Sequence, residues 1–175
     1  DSEIKNNTAS SNYYGKGAGL FTDSNNFNVQ NCSIYSNSGT YFGGGISILG
    51  SSTIDNCEIY NNNSNQGGGI SVDSGSPTLT NLKVYSNTAE FGGGIFFAMG
   101  IDSTSLMNSL VFGNSGNYGS ELSSDRSYNG INVINSTIVG SSGTTIWVRQ
   151  QANYSISNSI VIGTIEMTSN LSIVN

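Results

Sequence analysis

Histidine is absent from this chain of 175 residues, and charged side chains make up only 9% of it. Without histidine, a Ser-His-Asp triad is excluded, and so is a zinc site of mixed cysteine and histidine ligands. The sequence therefore predicts no catalytic set, no metal site and no cofactor.

Basic residues are scarce as well. Five Lys and Arg stand against eleven Asp and Glu, which gives a net charge of −6. Nucleic-acid binding needs a basic surface, and an anionic membrane surface repels an acidic protein. The sequence also lacks an apolar run long enough to cross a bilayer. We therefore expect no nucleic-acid partner and no direct membrane insertion.

What the chain does have is an internal repeat, marked by an asparagine that recurs at spacings of 25, 25, 27, 27, 23 and 17 residues. Apolar and polar residues alternate on both sides of each asparagine, which is the period of a β-strand. Asparagine tolerates left-handed backbone angles, so we predict a bend at each anchor, with buried side-chain amides bonded from rung to rung. The predicted ladder consists of Asn31, Asn56, Asn81, Asn108, Asn135, Asn158 and Asn175.

A second motif of glycines followed by an aliphatic residue occurs once in each of the earlier repeats, as in Gly43-Gly44-Gly45-Ile46. Glycine triplets adopt turn angles closed to other residues and allow backbones to approach closely. In the alternating strand that follows the glycines, two columns of side chains are predicted to point inward. The first contains Leu20, Ile46, Ile70, Ile95, Leu122 and Ile146, and the second Thr22, Ile48, Val72, Phe97, Ser124 and Val148.

Short strands, stacked columns and no helical periodicity predict an all-β fold, a right-handed parallel β-helix of about 6–7 rungs of 17–27 residues. We expect residues 1–175 to form a single domain, as a segment of a longer protein. Residues 165–175 stay apolar where a terminal rung should be polar. The rest of the chain or a capping partner should therefore cover both ends, including the strand of Ile4.

Cys32 and Cys57 fall in one inward column on adjacent rungs. Their distance would allow a disulfide, but stacked parallel side chains are poorly angled for one. We expect two free thiols that act as small apolar residues.

Two segments resemble a known repeat: Ile34-Tyr-Ser-Asn37 with Gly43-Gly-Gly-Ile46, and Val84-Tyr-Ser-Asn87 with Gly92-Gly-Gly-Ile95. They are similar to the F-x-x-N and G-G-A-[ILV] motifs of polymorphic outer-membrane protein passengers, with Ile or Val in place of Phe and Gly in place of Ala. The resemblance covers roughly residues 1–125 and extends to other bacterial secreted β-helix proteins, including the pectate-lyase-like superfamily. It implies a β-helix in an extracellular or cell-surface setting.

Three classes of function follow. The favoured one is a non-catalytic extracellular scaffold or adhesin-like segment, whose partner is a polysaccharide or a host or cell surface. The first alternative is a carbohydrate-binding or lyase-like, polysaccharide-cleaving β-helix. The second is an ice-binding solenoid, which would need a repeated column of threonines, whereas Thr78-Leu-Thr80 occurs once.

Two outward surfaces are candidate binding sites. The first is an aromatic column that either binds sugar rings or shields a bend, namely Tyr35, Tyr60, Tyr85 and Phe112. The second follows the glycines and contains Phe96, Trp147, Asp73, Asp125, Arg126 and Arg149.

In pectate-lyase-like enzymes this second surface carries calcium-binding aspartates and a basic residue that removes the sugar proton. Asp73 and Asp125 are two rungs apart, about 9.6 Å by rung spacing, which is too far to share a calcium ion. Asp125 and Arg149 are one rung apart, and we expect them to pair.

Overall fold

The computed structural model describes residues 2–10, 15–125, 130–149 and 153–167 and the backbone of residues 171–174. Within these residues the regular structure consists of strands, and none of them forms a helix that could cross a membrane. The strands, in chain order, are β1 (Ser2–Lys5), β2 (Thr8–Ala9), β3 (Leu20–Thr22), β4 (Asn28–Gln30), β5 (Cys32–Tyr35), β6 (Ser38–Gly39), β7 (Ile46–Leu49), β8 (Thr53–Asp55), β9 (Glu58–Tyr60), β10 (Ile70–Gly75), β11 (Thr78–Thr80), β12 (Lys83–Tyr85), β13 (Thr88–Phe91), β14 (Ile95–Ile101), β15 (Thr104–Met107), β16 (Leu110–Phe112), β17 (Ser115–Tyr118), β18 (Leu122–Ser124), β19 (Ile131–Ile134), β20 (Thr137–Val148), β21 (Tyr154–Ser157), β22 (Ile160–Met167) and β23 (Leu171–Val174).

Most of these strands stack into three parallel faces, and β2-β6 and β13-β17 form two further two-stranded parallel sheets. The first face is β1-β5-β9-β12-β16, the second is β3-β7-β10-β14-β18, and the third is β4-β8-β11-β15-β19-β21-β23. The long strands β20 and β22 join the first two faces, because each runs through both. Every pairing is parallel and joins one repeat to the next, so the predicted parallel β-helix is confirmed.

The interior consists of the aliphatic columns that the sequence predicts. Ile46 pairs in register with Ile70, and Ile70 with Ile95, and all three are fully buried. On the third face Ile54 lies beside Leu79, also fully buried. Each such side chain contributes roughly 1.5–3 kcal/mol relative to exposure. A single rung has too little apolar area of its own, so stacking supplies the core.

Each full rung turns at left-handed residues. In one rung these are Asn56 (φ 49°), Asn61 (φ 55°) and Gly67 (φ 65°). The third glycine of the triplet has a different reason to be glycine, because a Cβ on Gly69 would lie 2.7 Å from the Gly94 carbonyl oxygen of the next rung. Neighbouring rungs therefore approach too closely at Gly69 to leave room for a side chain there.

A column of buried asparagines stabilises the corner between the first and second faces. Its members are Asn37, Asn62, Asn87 and Asn114, all at most 2% exposed. The Asn62 side-chain oxygen accepts bonds from the backbone N–H and the amide of Asn37, each 3.0 Å long. Asn62 in turn donates to Asn87 in the same two ways and also to the Ile34 carbonyl. The column, which we call the inner ladder, therefore satisfies both backbone and side-chain groups.

The predicted ladder was placed at the wrong asparagines. The anchors adopt the left-handed bend as expected, with φ between 47° and 55°, but their side chains are exposed rather than buried. These anchors are Asn31, Asn56, Asn81, Asn108, Asn135 and Asn158, and Asn175 lies outside the described residues. Two of them still donate a side-chain hydrogen bond to the preceding rung, Asn56 to the Asn31 side-chain oxygen at 2.6 Å and Asn81 to the Asp55 carboxylate at 2.8 Å. What these anchors share is the left-handed backbone angle and an exposed side chain.

Glu121 ends the inner ladder. It occupies the third position of a degraded glycine triplet, is fully buried, and accepts bonds from the backbone N–H and the side-chain amide of Asn114. Burial raises the pKa of Glu121 to about 7, although the Asn114 and Ser120 hydrogen bonds lower it. The carboxyl group thus stands where a further asparagine would continue the column.

A second polar column lines the corner after the outer asparagines. The Ser109 hydroxyl accepts the Leu82 N–H at 3.1 Å, and the Ser136 hydroxyl accepts the Ser109 N–H at 3.1 Å. Lower in the same column, Cys32 and Cys57 are free thiols, and Cys57 is buried, as expected.

The upper end of the described solenoid exposes apolar side chains. Ile160 and Ile162 on β22 are 59% and 56% exposed. At the lower end Ile4 is half-buried beside Ile34. That other residues or a partner cover both ends stays a prediction.

The inner ladder yields a stability prediction. Asn87→Ala should lower the free energy of unfolding by about 2–4 kcal/mol, because the buried Asn62 and Ile59 groups lose their partners. Asn81→Gly is the matched control, since it removes an exposed amide and keeps the left-handed angle, and should cost less than about 1 kcal/mol. Urea unfolding measures both. Equal losses would contradict the assignment of the ladder.

Glu121 yields a prediction of pH dependence. Its folded pKa of about 7 lies above the ordinary 4.5, so its contribution to stability is fully present below pH 4.5 and is lost as the pH rises through 7. Glu121→Gln cannot ionise. Between about pH 5 and about pH 8 the free energy of unfolding should shift by about 3 kcal/mol in favour of the variant. Parallel curves for the two proteins over this range would show that Glu121 does not titrate there.

Candidate functional site

The described residues form an aromatic cleft of about 220 Å³, which is lined by Phe91, Tyr118, Trp147 and Arg149. Phe91 and Tyr118 stack, with ring centroids 4.8 Å apart and an interplanar angle of 13°. The Trp147 indole is tilted by about 50° to both rings, at 5.1 Å from Tyr118 and 6.1 Å from Phe91. The three rings therefore form a wedge whose indole wall is not covered by a parallel partner.

Three strands bring these rings together. Phe91 ends β13 and Tyr118 ends β17, and the two pair directly in register just before the left-handed Gly92 and Gly119. Trp147 projects from β20 on the second face. Below it the outward column continues through Ser123 to Phe96, which is buried and packs its ring edge against Phe91 at 6.4 Å. The cleft lies where the glycine corner meets the second face.

An ion pair stands at the rim of the cleft. The Arg149 guanidinium lies 3.9 Å from the Asp125 carboxylate, as the sequence predicted, and Arg149 is about half exposed. Backbone bonds hold both residues, from Asp125 N–H to the Phe97 carbonyl and from Arg149 N–H to the Ser124 carbonyl. An ion pair of this length contributes little to stability.

Asp73 lies apart from the cleft. The hydroxyl groups of Ser47 and Ser71 donate to its carboxylate. Burial raises the pKa of Asp73, while the two hydroxyl bonds and Lys16 oppose that shift. Ser47 and Ser71 are themselves fully buried. Among the described residues no three acidic or thiol groups cluster in a way that could hold a metal.

The aromatic column of the first face is a continuous stack. Tyr35, Tyr60, Tyr85 and Phe112 follow one another at centroid distances of 4.8, 5.0 and 5.3 Å, with interplanar angles of 13° or less. The Lys5 ammonium group lies 5.4 Å from the Tyr35 ring. Within the stack each ring face contacts the next ring. Along most of the stack, no aromatic face is therefore free to contact a sugar ring. The geometry favours shielding of the sheet over binding.

Of the predicted second surface, the structure brings Phe96, Trp147, Asp125 and Arg149 together and leaves Asp73 apart, while Arg126 lies outside the described residues. Sequence reasoning missed Phe91 and Tyr118. A signal for them exists, because both immediately precede the first glycine of their motif. That position forms a column of its own, in which Phe42 pairs with Gln66 and Gln66 with Phe91.

The stacked parallel faces define a β-solenoid protein. A family model described as a right-handed beta helix region matches residues 1–109, more than half of the chain. The chain therefore belongs to the right-handed β-helix family. Neither a curated protein nor a solved structure gave a significant match. Phe91 and Phe96 lie inside the matched region, whereas Tyr118, Trp147 and Arg149 follow it.

Proposed function

We propose that this chain is a non-catalytic β-helix scaffold of a secreted or cell-surface protein, and that its aromatic cleft binds a sugar ring. The observation that carries the proposal is the tilted Trp147 indole, which forms one wall of a cleft of about 220 Å³ beside a charged rim. An exposed aromatic face suits the apolar face of a sugar, and polar groups at its edge suit the hydroxyls. The extracellular setting rests on the resemblance of the Ile34-Tyr-Ser-Asn37 and glycine motifs to those of surface proteins.

A lyase-like reaction has less support. Elimination from a uronate needs a group that neutralises the sugar carboxylate and a base of suitable pKa. The cation of the cleft, Arg149, is paired with Asp125. Asp73 lies on β10, two strands from β18, after which Asp125 follows, so the two carboxylates do not face one cation.

Ice binding is also disfavoured. A regular ice-binding surface would need matching side chains on successive rungs, and the outward column with most hydroxyl groups is on the third face. From β4 to β21 this column contains Asn28, Thr53, Thr78, Ser105, Asn132 and Ser155. Threonine occupies only two neighbouring rungs, so the column is not a repeated threonine array.

Tryptophan fluorescence can report directly on the cleft, because Trp147 is the single tryptophan of the chain. Adding a bound saccharide should change the intensity and the emission maximum of tryptophan fluorescence, because the sugar displaces water from the indole. Calorimetric titration should then show that Trp147→Ala abolishes binding. Phe27→Ala, which removes an aromatic ring that is 40% exposed elsewhere, should leave it unchanged.

Screening should use a broad panel of soluble oligosaccharides, with circular dichroism to show that both variants fold. If no saccharide alters the fluorescence, or if Trp147→Ala binds as tightly as the unaltered chain, the cleft is not a sugar site.

Catalysis can be tested separately. With calcium present, we expect no release of unsaturated products from pectate or alginate, measured by ultraviolet absorbance, because the described residues of the cleft include neither a cation without a carboxylate partner nor a suitable base. Arg149→Ala is the control variant. Product formation by the unaltered chain that disappears in Arg149→Ala would establish a lyase and replace the scaffold proposal.

A further inference from the structure

The charges around the aromatic cleft indicate which kind of sugar it accepts. Arg149 is the cation that lines the cleft, and its guanidinium already faces Asp125 at 3.9 Å. The Asp125 side chain is about a quarter exposed, so its carboxylate remains partly accessible beside the guanidinium. A ligand therefore meets a donor and an acceptor side by side, with little net charge between them.

The wider surroundings are acidic rather than basic. Among the described strands of the second face and the residues that directly follow them, the carboxylates of Asp23, Asp73, Asp125 and Glu166 accompany only Lys16, before the glycine corner, and Arg149. The whole chain carries a net charge of −6. This field repels an anionic glycan, and nothing in the described part of the face compensates for it.

The chemistry of the rim fits hydroxyl groups. A sugar hydroxyl donates one hydrogen bond and accepts others, so two neighbouring hydroxyls can satisfy a guanidinium and a carboxylate together. A uronate carboxylate only accepts. It would have to compete with Asp125 for Arg149 while lying close to a like charge.

We propose that the cleft selects an uncharged sugar ring, with Arg149 and Asp125 jointly binding a pair of neighbouring hydroxyls, and that it discriminates against uronic acids. This inference rests on the proposed sugar-binding function. It goes further by assigning the ligand class and by giving Asp125 the role of the residue that determines specificity against anionic sugars.

Trp147 fluorescence tests the proposal in the unaltered chain. The probes are neutral gluco-, manno- and galacto-oligosaccharides on one side and oligogalacturonate and oligomannuronate on the other. We expect at least one neutral series to bind with an affinity that changes little with salt. The uronates should bind about fivefold or more weakly, the scale of one exposed ion pair.

The decisive variant is Asp125→Asn, which keeps the shape and releases Arg149 from its ion pair. Affinity for uronates should rise by about fivefold and become sensitive to salt, while affinity for the neutral ligand should fall. Asp23→Asn is the matched control, because it makes the same change of charge at an exposed position at the end of β3. It should leave the preference between the two classes unchanged.

The outcomes separate the two proposals. Tighter binding of uronates by the unaltered chain, weakening as salt is added, would overturn the neutral-sugar inference and leave the sugar site intact. An unchanged preference in Asp125→Asn that still folds would overturn the role of Asp125. Binding of neither class would overturn the proposed function and this inference with it.

Discussion

The inner ladder of buried asparagines is the interaction on which the rest of the solenoid depends. Asparagine is suited to it because one short side chain both donates and accepts, so a single residue can serve the rungs on either side. Asn87 shows the full pattern: its oxygen accepts from Asn62, and its amide donates to Asn114 and to the Ile59 carbonyl. Without this column the backbone groups at a corner that turns away from β-pairing would be buried and unsatisfied.

The ladder also explains the position of the cleft. The corner that the ladder stabilises is followed by the glycine triplets. At Gly69 the backbones of neighbouring rungs lie so close together that each rung must keep the same path as the next. Phe91 and Tyr118 lie just before that corner and are therefore held in register, which aligns their rings at 4.8 Å. Trp147 lies in a rung that has lost the glycine triplet, so that β20 runs without a break through two faces. A wedge rather than a third stacked ring results from this change of path.

Much of the fold could be predicted because aliphatic residues alternate in fixed columns, and burial forces each column to one side of a strand. Ile46, Ile70 and Ile95 therefore fell into register from sequence alone. The ladder was misplaced because each rung contains asparagines at two corners, and spacing does not tell them apart. Asn81 itself adopts the left-handed angle and points to water, whereas Asn87 follows a left-handed residue, Ser86, and points inward. Trp147 and Arg149 could be identified because they continue the columns of the strand that follows the glycines. Phe91 and Tyr118 were missed because β13 and β17 form a separate two-stranded sheet outside the three faces.

The inner ladder has a direction, and this bears on its last member. From Asn7 through Asn114 the N–H groups point toward the next rung along the chain, and the oxygens point back. Aligned amide groups add their dipoles, as peptide units do in a helix, so the column presents a partial positive charge at the end where its donors are unused. Glu121 occupies that end. The column thus acts as a macrodipole whose field offsets part of the cost of burying a carboxyl group. The Glu121 oxygens, which accept from Asn114, are the chemically matched end of the column.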